Sequence, residues 1–402
     1  MIKNKYTLTA LSLYINYFVH GIQAIILSQG AYYFAGKWNV SEADVFGIIA
    51  AIGIGKVGVM LFSGVLSDKF GRKPLVIIGM IGYIIFFGGL LFCNNGTLAY
   101  LLAICAGGAT SFLDGASYPA IMEIYPQNTS VAMVILKGFI AISSAIFPLF
   151  VSFLHYHQLW FGWAVLLPFI CMIVNIFFML MQKFPLTSHQ AQSVKPKTQT
   201  IEQRKIIVSA NVLLMIFAFF CLATFYLWQQ VATKYAIEVV KMSDVAARGV
   251  MSIFSIGSIL AVMFSAFIMT KGIRDIAILV YYTCISTSML ILVYTIPTSF
   301  MMYLGSFAIG FFTAGGILQI GSALLSQFSP QRKGLNTSLY SICFAMATYI
   351  MPIMIKYFLQ KNDFSNIVLL EIVLSGMSFI IVVLLTKAYK AVFGQSAYSI
   401  KQ

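Results

Sequence analysis

Long apolar runs separated by short polar segments are the main pattern of this chain. A run of about 20 apolar residues predicts a membrane-crossing helix, because an α-helix rises about 1.5 Å per residue and the hydrocarbon core is about 30 Å thick. The runs are continuous rather than short and alternating, which disfavours a membrane β-barrel. Twelve spans are predicted, near residues 8–34, 45–66, 74–93, 98–122, 131–154, 160–181, 206–230, 246–269, 275–295, 300–326, 335–358 and 365–386.

One long polar segment divides these spans into six and six. Its sequence, PLTSHQAQSVKPKTQTIEQRK, is rich in Ser, Thr, Gln and Lys, as a linker would be. The predicted organisation is an N-terminal six-helix bundle, a cytoplasmic linker, a C-terminal six-helix bundle and a cytoplasmic tail, at residues 1–184, 185–205, 206–387 and 388–402.

Self-comparison of the chain indicates that the two bundles are repeats. FSGVLSDKFGR at 62–72 aligns with FSAFIMTKGIR at 264–274, and EIYPQ at 123–127 aligns with QFSPQ at 327–331. Parallel repeats of this kind place a binding site near the middle of the membrane. The predicted fold class is therefore an all-α polytopic membrane protein with twelve transmembrane helices in two six-helix pseudo-symmetric halves.

Composition supports a membrane protein and limits its chemistry. Hydrophobic residues make up 60% of the chain and charged residues only 9%, against about 25% charged residues in a soluble domain. The first apolar run is too long for the core of a cleavable signal peptide. All six cysteines lie in or at the ends of spans without CxxC spacing, so we expect no disulfide, metal site or cofactor.

The net charge of +14 is explained by membrane topology rather than by a nucleic-acid partner. Only Lys56 and Lys137 fall inside spans. Seventeen of the 25 Lys and Arg residues fall on one predicted side, namely Lys3, Lys5, Lys69, Arg72, Lys73, Lys183, Lys195, Lys197, Arg204, Lys205, Lys271, Arg274, Arg332, Lys333, Lys387, Lys390 and Lys401. The other side has Lys37, Lys234, Lys241, Arg248, Lys356 and Lys361. This bias predicts that the first side, with both termini, is cytoplasmic.

A loop motif after the second span carries a family resemblance. GVLSDKFGRKP at 64–74 resembles the signature of the major facilitator superfamily, with Gly64, Leu66, Asp68, Gly71, Arg72 and Lys73 at the signature positions. FLDGASYPAIMEIYP at 112–126 and AGGILQIGSALLSQFSP at 314–330 are similar to its bacterial YdiM/YdiN-type subgroup of inner-membrane transport proteins. The resemblance implies the major facilitator fold, a bacterial inner-membrane location and a monomer. The alternative is an ordinary basic turn ended by a glycine.

The resemblance also implies a cytoplasmic latch, formed by Gly64, Asp68, Gly71, Arg72, Lys73 and Glu123. Gly64 would allow close approach of a neighbouring helix, and Gly71 would allow the tight turn. In the family, the Asp favours the positive N-terminus of span 11 and the Arg pairs with an acid at the end of span 4. Asp68, Arg72 and Glu123 occupy those positions here.

Four ionisable residues lie inside predicted spans, away from the helix ends. They are His20, Lys56, Asp114 and Lys137. A cation at mid-bilayer costs at least about 2.5–3.5 kcal/mol, so Lys56 must be compensated or used. Helix rise places Lys137, Asp114, Lys56 and His20 at depths of about 9, 12, 15 and 18 Å. The resemblance implies that spans 1, 2, 4 and 5 surround a cavity while spans 3 and 6 face lipid, which would place all four residues in one cavity.

The charge balance of this group predicts its roles. Two cations and one carboxylate leave a net positive charge, which suits an anionic substrate anchored by Lys56. Asp114, together with Lys137 and His20, is the candidate for proton coupling, because burial and neighbouring charges decide protonation. The alternatives are a structural Asp114–Lys137 ion pair, a Lys56 side chain that extends towards the interface, and a His20 ring that only packs.

Uncharged polar residues extend the predicted substrate site. Asn16, His20 and Gln23 have i, i+4, i+7 spacing, so they form one polar stripe that must face protein or water. Ring and hydroxyl groups in the second half would suit a cyclic or polyhydroxylated substrate. Aromatic residues near span ends are equally expected as interfacial anchors. The second-half candidates are Tyr226, Gln229, Gln319, Asn336 and Tyr340.

The leading functional interpretation is a secondary transporter working by alternating access, which imports a small organic anion, such as a cyclic or sugar acid, together with H⁺. Its alternative is a proton-antiport exporter of metabolites or drugs. Span 5 reads KGFIAISSAIFPLFVSF and lacks the glycines of the exporter motif, which disfavours drug efflux. A non-transporting membrane sensor is disfavoured by the short tails. An enzyme is not expected, because no Walker loop, HExxH or nucleophile elbow occurs.

Overall fold

The computed structural model describes residues 5–126, 129–185, 201–270, 273–315, 317–329, 333–396 and 398. These residues form helices and connecting turns and include no β-strand. The helices are α1 (Thr7–Gln29), α2 (Ala31–Trp38), α3 (Glu42–Phe70), α4 (Arg72–Phe92), α5 (Gly96–Ile124), α6 (Thr129–Tyr156), α7 (Gly162–Met181), α8 (Ile201–Glu238), α9 (Asp244–Thr270), α10 (Asp275–Thr295), α11 (Ser299–Ile309), α12 (Ile317–Phe328), α13 (Lys333–Gln360) and α14 (Phe364–Phe393).

The helices confirm the predicted all-α polytopic membrane fold. Within the described ranges, eleven helices are long and apolar enough to cross a membrane, and the shorter apolar helix Ser299–Ala314 lies in the tenth predicted span. Helix α8 begins inside the predicted linker, and α14 continues into the predicted tail. Most of the predicted linker, residues 186–200, lies outside the described residues.

Two of the predicted spans are interrupted in the structure. The first span is broken at Gly30, where α1 ends and α2 begins. The tenth contains a π-helical turn, Gly310–Ala314, between α11 and α12. A Cβ atom at Gly310 would lie 2.0 Å from the backbone oxygen of Phe254, so α9 packs directly on this backbone. Hydropathy does not record such contacts, which is why the pattern predicted continuous spans.

Contacts divide the chain into two compact units that differ from the two sequence halves. The first turns of α9 and the last turns of α13 group with the N-terminal helices. Unit 1 comprises Met1–His189, Ser243–Ser252 and Thr348–Asn362, and unit 2 comprises Gln190–Met242, Ile253–Ala347 and Asp363–Gln402.

Polar contacts hold these two short segments within unit 1. Lys356 Nζ lies 2.8 Å from Asp44 Oδ1 on α3. Arg248 Nε lies 2.9 Å from Asp244 Oδ2 in the first turn of α9. The Arg248 Nη1 group also donates to the backbone oxygen of Gln29 at 3.1 Å, at the end of α1. Unit 1 therefore includes parts of α9 and α13 because charged side chains attach them to α1 and α3.

Helices α3 and α5 cross closely near Lys56 on α3. A Cβ atom at Gly55 would lie 1.9 Å from the backbone oxygen of Ile104, and one at Gly107 would lie 1.9 Å from that of Ile52. Small residues allow membrane helices to approach this closely. Ser111 Oγ, one turn beyond Gly107, donates to the backbone oxygen of Lys56 at 2.7 Å.

The crossing predicts different effects on stability for two glycine substitutions in α3, of which the second is the control. The variant Gly55→Ala is expected to lower the free energy of unfolding by about 1–3 kcal/mol, because its methyl group overlaps the α5 backbone. A Cβ atom at Gly58 would meet no atom within 4 Å. Gly58→Ala should therefore change stability little or increase it by up to about 1 kcal/mol through helix propensity. Unfolding of both purified variants in detergent, followed by circular dichroism, measures the difference, and equal stabilities would contradict the crossing.

Candidate functional site

The four ionisable residues predicted inside the spans lie together in unit 1. Helices α1, α3, α5 and α6 supply His20, Lys56, Asp114 and Lys137, which we call the charged cluster. The Asp114 carboxylate interacts electrostatically with both lysine ammonium groups and with the His20 ring. The two ammonium groups also interact with each other. The structure therefore places two lysines and one aspartate close enough to interact electrostatically.

Two tyrosines connect the acid of the charged cluster to one of its bases. Tyr17 Oη on α1 donates to Asp114 Oδ1 at 2.8 Å. Lys137 Nζ donates to Tyr118 Oη at 3.3 Å and lies 5.6 Å from the centroid of that ring. The Tyr17 and Tyr118 ring centroids are 5.5 Å apart. These contacts fix the orientation of both charged side chains and surround them with hydroxyl groups and ring edges.

A chain of hydroxyl groups connects His20 to α4 and α5. Thr110 Oγ1 donates to the backbone oxygen of Ala106 at 3.0 Å. Tyr83 Oη lies 2.9 Å from Thr110 Oγ1 and 2.7 Å from His20 Nδ1, within hydrogen-bond distance of both atoms. In the neutral ring one nitrogen donates and the other accepts, so the direction of donation along this chain sets the tautomer of His20.

Spans 3 and 6, expected to face lipid, each also have a buried polar residue on their inner face. Tyr83 on α4 is fully buried, and its hydroxyl contacts His20. Asn175 on α7 is also buried, donates to Asn16 Oδ1 at 2.7 Å and accepts from Ser12 Oγ at 2.8 Å. The opposite faces expose apolar side chains, as a lipid-facing helix would, at Ile78, Ile81, Ile85, Leu167, Val174 and Phe177. Reasoning from charge missed the inner faces because tyrosine and asparagine are neutral.

Sequence analysis also did not include Tyr118 on α5, although the spacing of polar residues on that helix indicated it. Thr110, Asp114 and Tyr118 have i, i+4, i+8 spacing, which places them along one face of the helix. That polar stripe runs beside the stripe on α1. Tyr83 and Asn175, in contrast, are single polar residues on apolar helices and carried no such pattern.

The other two members of the α1 stripe are buried. Asn16 and Gln23 are 0% and 2% exposed. No described residue accepts a hydrogen bond from Asn16 Nδ2 or Gln23 Nε2. A buried donor without an acceptor costs about 1–3 kcal/mol. Both amides are thus donors in the interior of unit 1 that a water or a substrate oxygen could satisfy.

The second-half candidates lie in unit 2 and differ in their surroundings. Tyr226 and Asn336 are buried, and Gln229 is half-buried. Tyr340 Oη donates to the backbone oxygen of Leu318 at 2.9 Å, and its ring packs in the apolar core of unit 2. The side chain of Gln319 lies outside the described part of the chain.

The signature motif forms a polar network at the junction of α3 and α4. Arg72 Nη1 lies 2.6 Å from Asp68 Oδ1, and Arg72 Nη2 lies 3.0 Å from Glu123 Oε1. Lys73 Nζ donates to the backbone oxygens of Leu180 and Gln182 near the end of α7, at 2.7 and 2.8 Å. The expected Arg72–Glu123 contact is therefore present, and the motif ties α3, α4, α5 and the end of α7 together.

The two glycines of the motif behave differently from each other. Gly71 has a φ of +89°, so the turn between α3 and α4 uses a conformation that favours glycine, as expected. Gly64 was expected to allow a close helix approach, but a Cβ atom there would meet nothing within 4 Å. The close approach of α3 lies instead at Gly55, more than two turns earlier.

We expect the two acids of this network to contribute unequally to the free energy of unfolding. Arg72 and Glu123 side chains are only 9% and 17% exposed, whereas Asp68 is 64% exposed. Glu123→Ala should lower the free energy of unfolding by about 1.5–3 kcal/mol, because it removes a charge-assisted bond from a buried guanidinium. Asp68→Ala should cost less than about 1 kcal/mol, as exposed pairs do. Chemical unfolding in detergent measures both variants, and the reverse order would show that Asp68 holds the network.

Related proteins of known sequence match nearly the whole chain. Inner membrane transport protein YdiM of Escherichia coli (strain K12) is 33% identical over 379 residues, which cover 94% of this chain and 94% of YdiM. Inner membrane transport protein YdiN of the same organism is 32% identical over 381 residues, covering 95% of this chain and 89% of YdiN. The uncharacterized MFS-type transporter YfkL of Bacillus subtilis (strain 168) is 29% identical over 395 residues, covering 97% and 98%.

Solved structures share the fold at low sequence identity. The crystal structure of the nucleoside transporter NupG matches with a TM-score of 0.70 and 14% identity, covering 95% of this chain and 100% of NupG. A bacterial homologue of the human lysosomal transporter Spinster, inward-facing and unoccupied, matches with a TM-score of 0.70 and 12% identity, covering 96% and 98%. The sequence profile of the Major Facilitator Superfamily matches residues 9–298 and 250–396. With its helical membrane fold, its signature loop and these relatives, the chain belongs to the Major Facilitator Superfamily.

Proposed function

We propose that this transporter imports a small organic anion, such as a cyclic or sugar acid, together with protons by alternating access. The charged cluster of unit 1 is the observation that carries the proposal. Its two ammonium groups and one carboxylate leave one net positive charge in a segment of apolar helices. Charge inside a membrane protein is costly and marks substrate and ion pathways. A bound carboxylate would complete the neutralisation of this cluster.

Lys56 is the proposed anchor for the substrate carboxylate. It lies on α3 at the close crossing with α5, and Ser111 holds its backbone oxygen. The close crossing fixes the backbone position of Lys56. Its flexible side chain ends in an ammonium group with three N–H donors. Lys56 therefore combines the donors and the fixed backbone position that an anchor for a carboxylate needs.

Asp114 is the proposed proton carrier, with Lys137 and His20 setting its charge balance. A substrate carboxylate beside Lys56 would compete with Asp114 for the same cation. Weakening that attraction favours the neutral, protonated form of Asp114. His20 is the proposed second participant in proton coupling, because its ring interacts electrostatically with the same carboxylate. Proton uptake would thus accompany substrate binding.

Several further assignments belong to the same proposal. The uncharged substrate contacts are proposed at Asn16, His20, Gln23, Tyr226, Gln229, Gln319, Asn336 and Tyr340. The latch role is proposed for the signature network around Arg72. We propose an inner-membrane monomer with both termini cytoplasmic, supported by the basic residues on one predicted side and by the names of YdiM and YdiN.

Transport in proteoliposomes tests the proposal directly. The purified protein is reconstituted, an inward proton gradient is imposed, and uptake of labelled cyclic acids, sugar acids, their neutral analogues and common drugs is followed. Acid accumulation that a protonophore abolishes is the expected result. Gradient-driven movement of drugs or neutral compounds in the opposite direction would instead establish the proton-antiport exporter.

A further inference from the structure

Unit 2 contains a buried carboxyl group that the charged cluster does not explain. Glu371 lies on α14, seven residues after the first residue of that helix, which is about 10 Å along the helix axis. The residue is 1% exposed. Its Oε1 atom has no hydrogen-bond partner within the described part of the chain. A glutamate in this position requires an explanation, because the interior of unit 2 is otherwise apolar or neutral around it.

Glu371 begins a buried polar stripe on α14. Ser375 and Ser378 follow it at i+4 and i+7, and they are also buried. Opposite this stripe, α10 supplies Thr287 Oγ1 at 2.8 Å and Ser286 Oγ at 3.5 Å from Ser375 Oγ. We call the four hydroxyl residues Ser286, Thr287, Ser375 and Ser378 the hydroxyl seam. The carboxyl group thus lies one helical turn from Ser375, whose hydroxyl contacts those of Thr287 and Ser286.

No described side chain of the helices packed against α14 forms an ion pair with Glu371. Helices α8 and α10 pack on α14, and their titratable groups towards this end are Tyr226, Lys234, Tyr235, Glu238 and Tyr294. Lys234 Nζ lies 5.9 Å from the ring centroid of Phe364, at the start of α14. Tyr235 and Tyr294 interact with each other. Within the described ranges the Glu371 carboxyl group is buried without an ion-pair partner.

A carboxylate in such a place would be far less stable than a carboxylic acid. Transfer of an ionised group into an apolar interior costs so much that the group neutralises instead. We propose that Glu371 binds a proton and is held as the carboxylic acid at neutral pH, so that unit 2 has its own proton-binding site, separate from Asp114 in unit 1. The hydroxyl seam continues the buried polar surface from Glu371 along α14 and α10. As a site for the transported proton, Glu371 rests on the proposed proton coupling.

A proton fits this site better than a metal cation. A metal cation would need several oxygen ligands directed at one point. The Thr287 and Ser375 hydroxyls are instead directed at each other. A single carboxyl group with one oxygen lacking a hydrogen-bond partner matches the needs of one proton.

Infrared difference spectroscopy tests the inference without a known substrate. The full-length protein is reconstituted in lipid, and the C=O stretch of carboxylic acids is recorded while pH is varied, with and without Na⁺. We expect an acid band at neutral pH that Na⁺ does not change. The band should be lost in Glu371→Gln, kept in Asp114→Asn and shifted in Glu371→Asp. The Glu371→Asp shift also assigns the band if Glu371→Gln does not fold.

Two results would overturn the inference. A wild-type spectrum without any acid band that responds to a change at Glu371 would show that the group is ionised. A band that disappears on addition of Na⁺ would show a metal-cation site. Failure of the proposed function is a separate outcome: proteoliposomes would then accumulate no acid under any gradient, while the Glu371 band would remain. Acid accumulation by a protein without the band would reject only the Glu371 inference.

Discussion

The variant Asp114→Asn is expected to lose gradient-driven accumulation of acids while still exchanging them across the membrane. Asparagine has the shape of a protonated aspartate and can still accept from Tyr17, so the surrounding contacts survive. It cannot alternate between charged and neutral forms, so substrate movement no longer requires proton movement. One pH unit is worth 1.36 kcal/mol, which supports about tenfold accumulation per coupled proton. The accumulation ratio should therefore fall from about tenfold per pH unit to about one.

Uptake under an imposed pH gradient and counterflow without a gradient measure the two properties separately. Asp363→Asn is a matched control, because Asp363 caps the start of α14 and asparagine caps helices equally well. It should accumulate acids normally. If Asp114→Asn also accumulates acids normally, Asp114 does not couple transport to protons. Its contact with Tyr17, and through Tyr118 with Lys137, would then be structural.

The sequence predicted the spans and the charged cluster well, because both follow from the cost of polar groups in lipid. A long apolar run has few alternatives to a membrane helix. A charge within such a run must face the protein interior. Together with the cavity that the family resemblance implies, this grouped His20, Lys56, Asp114 and Lys137 before any coordinates. The same logic succeeds for the Arg72–Glu123 contact only with the family resemblance, because nothing in local spacing connects residues on α4 and α5.

Features set by backbone packing and by neutral polar groups were not predictable in this way. The π-helical turn at Gly310 and the break at Gly30 arise inside apolar segments, where hydropathy is uniform. The Tyr83 and Asn175 contacts depend on which face of an apolar helix turns inward. The contact of His20 with Tyr83, and through Tyr83 with Thr110, joins residues of three helices. Such details become visible only when helices from distant parts of the sequence are placed side by side.

The buried acids of unit 1 and unit 2 have different surroundings, which counting charges along the sequence does not show. In unit 1 the ionisable groups interact electrostatically with one another. In unit 2 the carboxyl group of Glu371 is buried without an ion-pair partner among the described residues. A coupled group responds to a bound anion, whereas an isolated acid responds to access by water. In the proposed proton-driven cycle, the two acids are therefore suited to different steps.

The variant Lys56→Gln is expected to weaken binding of acids selectively. An ammonium–carboxylate hydrogen bond is worth about 1.5–3 kcal/mol, which corresponds to a loss of about 10- to 150-fold in apparent affinity. Glutamine can still donate to a neutral oxygen, so neutral analogues of the same compounds should bind about as before. Lys56→Arg keeps the charge and should retain more of the acid affinity than glutamine does. Concentration dependence of uptake and competition by unlabelled acids measure these affinities.

The ratio of acid affinity to neutral-analogue affinity is the decisive quantity, because a general loss of folding would lower both affinities together. We expect this ratio to fall in Lys56→Gln and to recover in part in Lys56→Arg. An unchanged ratio in Lys56→Gln would show that the cation of α3 does not bind the substrate carboxylate. The net positive charge of the cluster would then have to serve Asp114 alone, and neutral substrates would become the better candidates for transport.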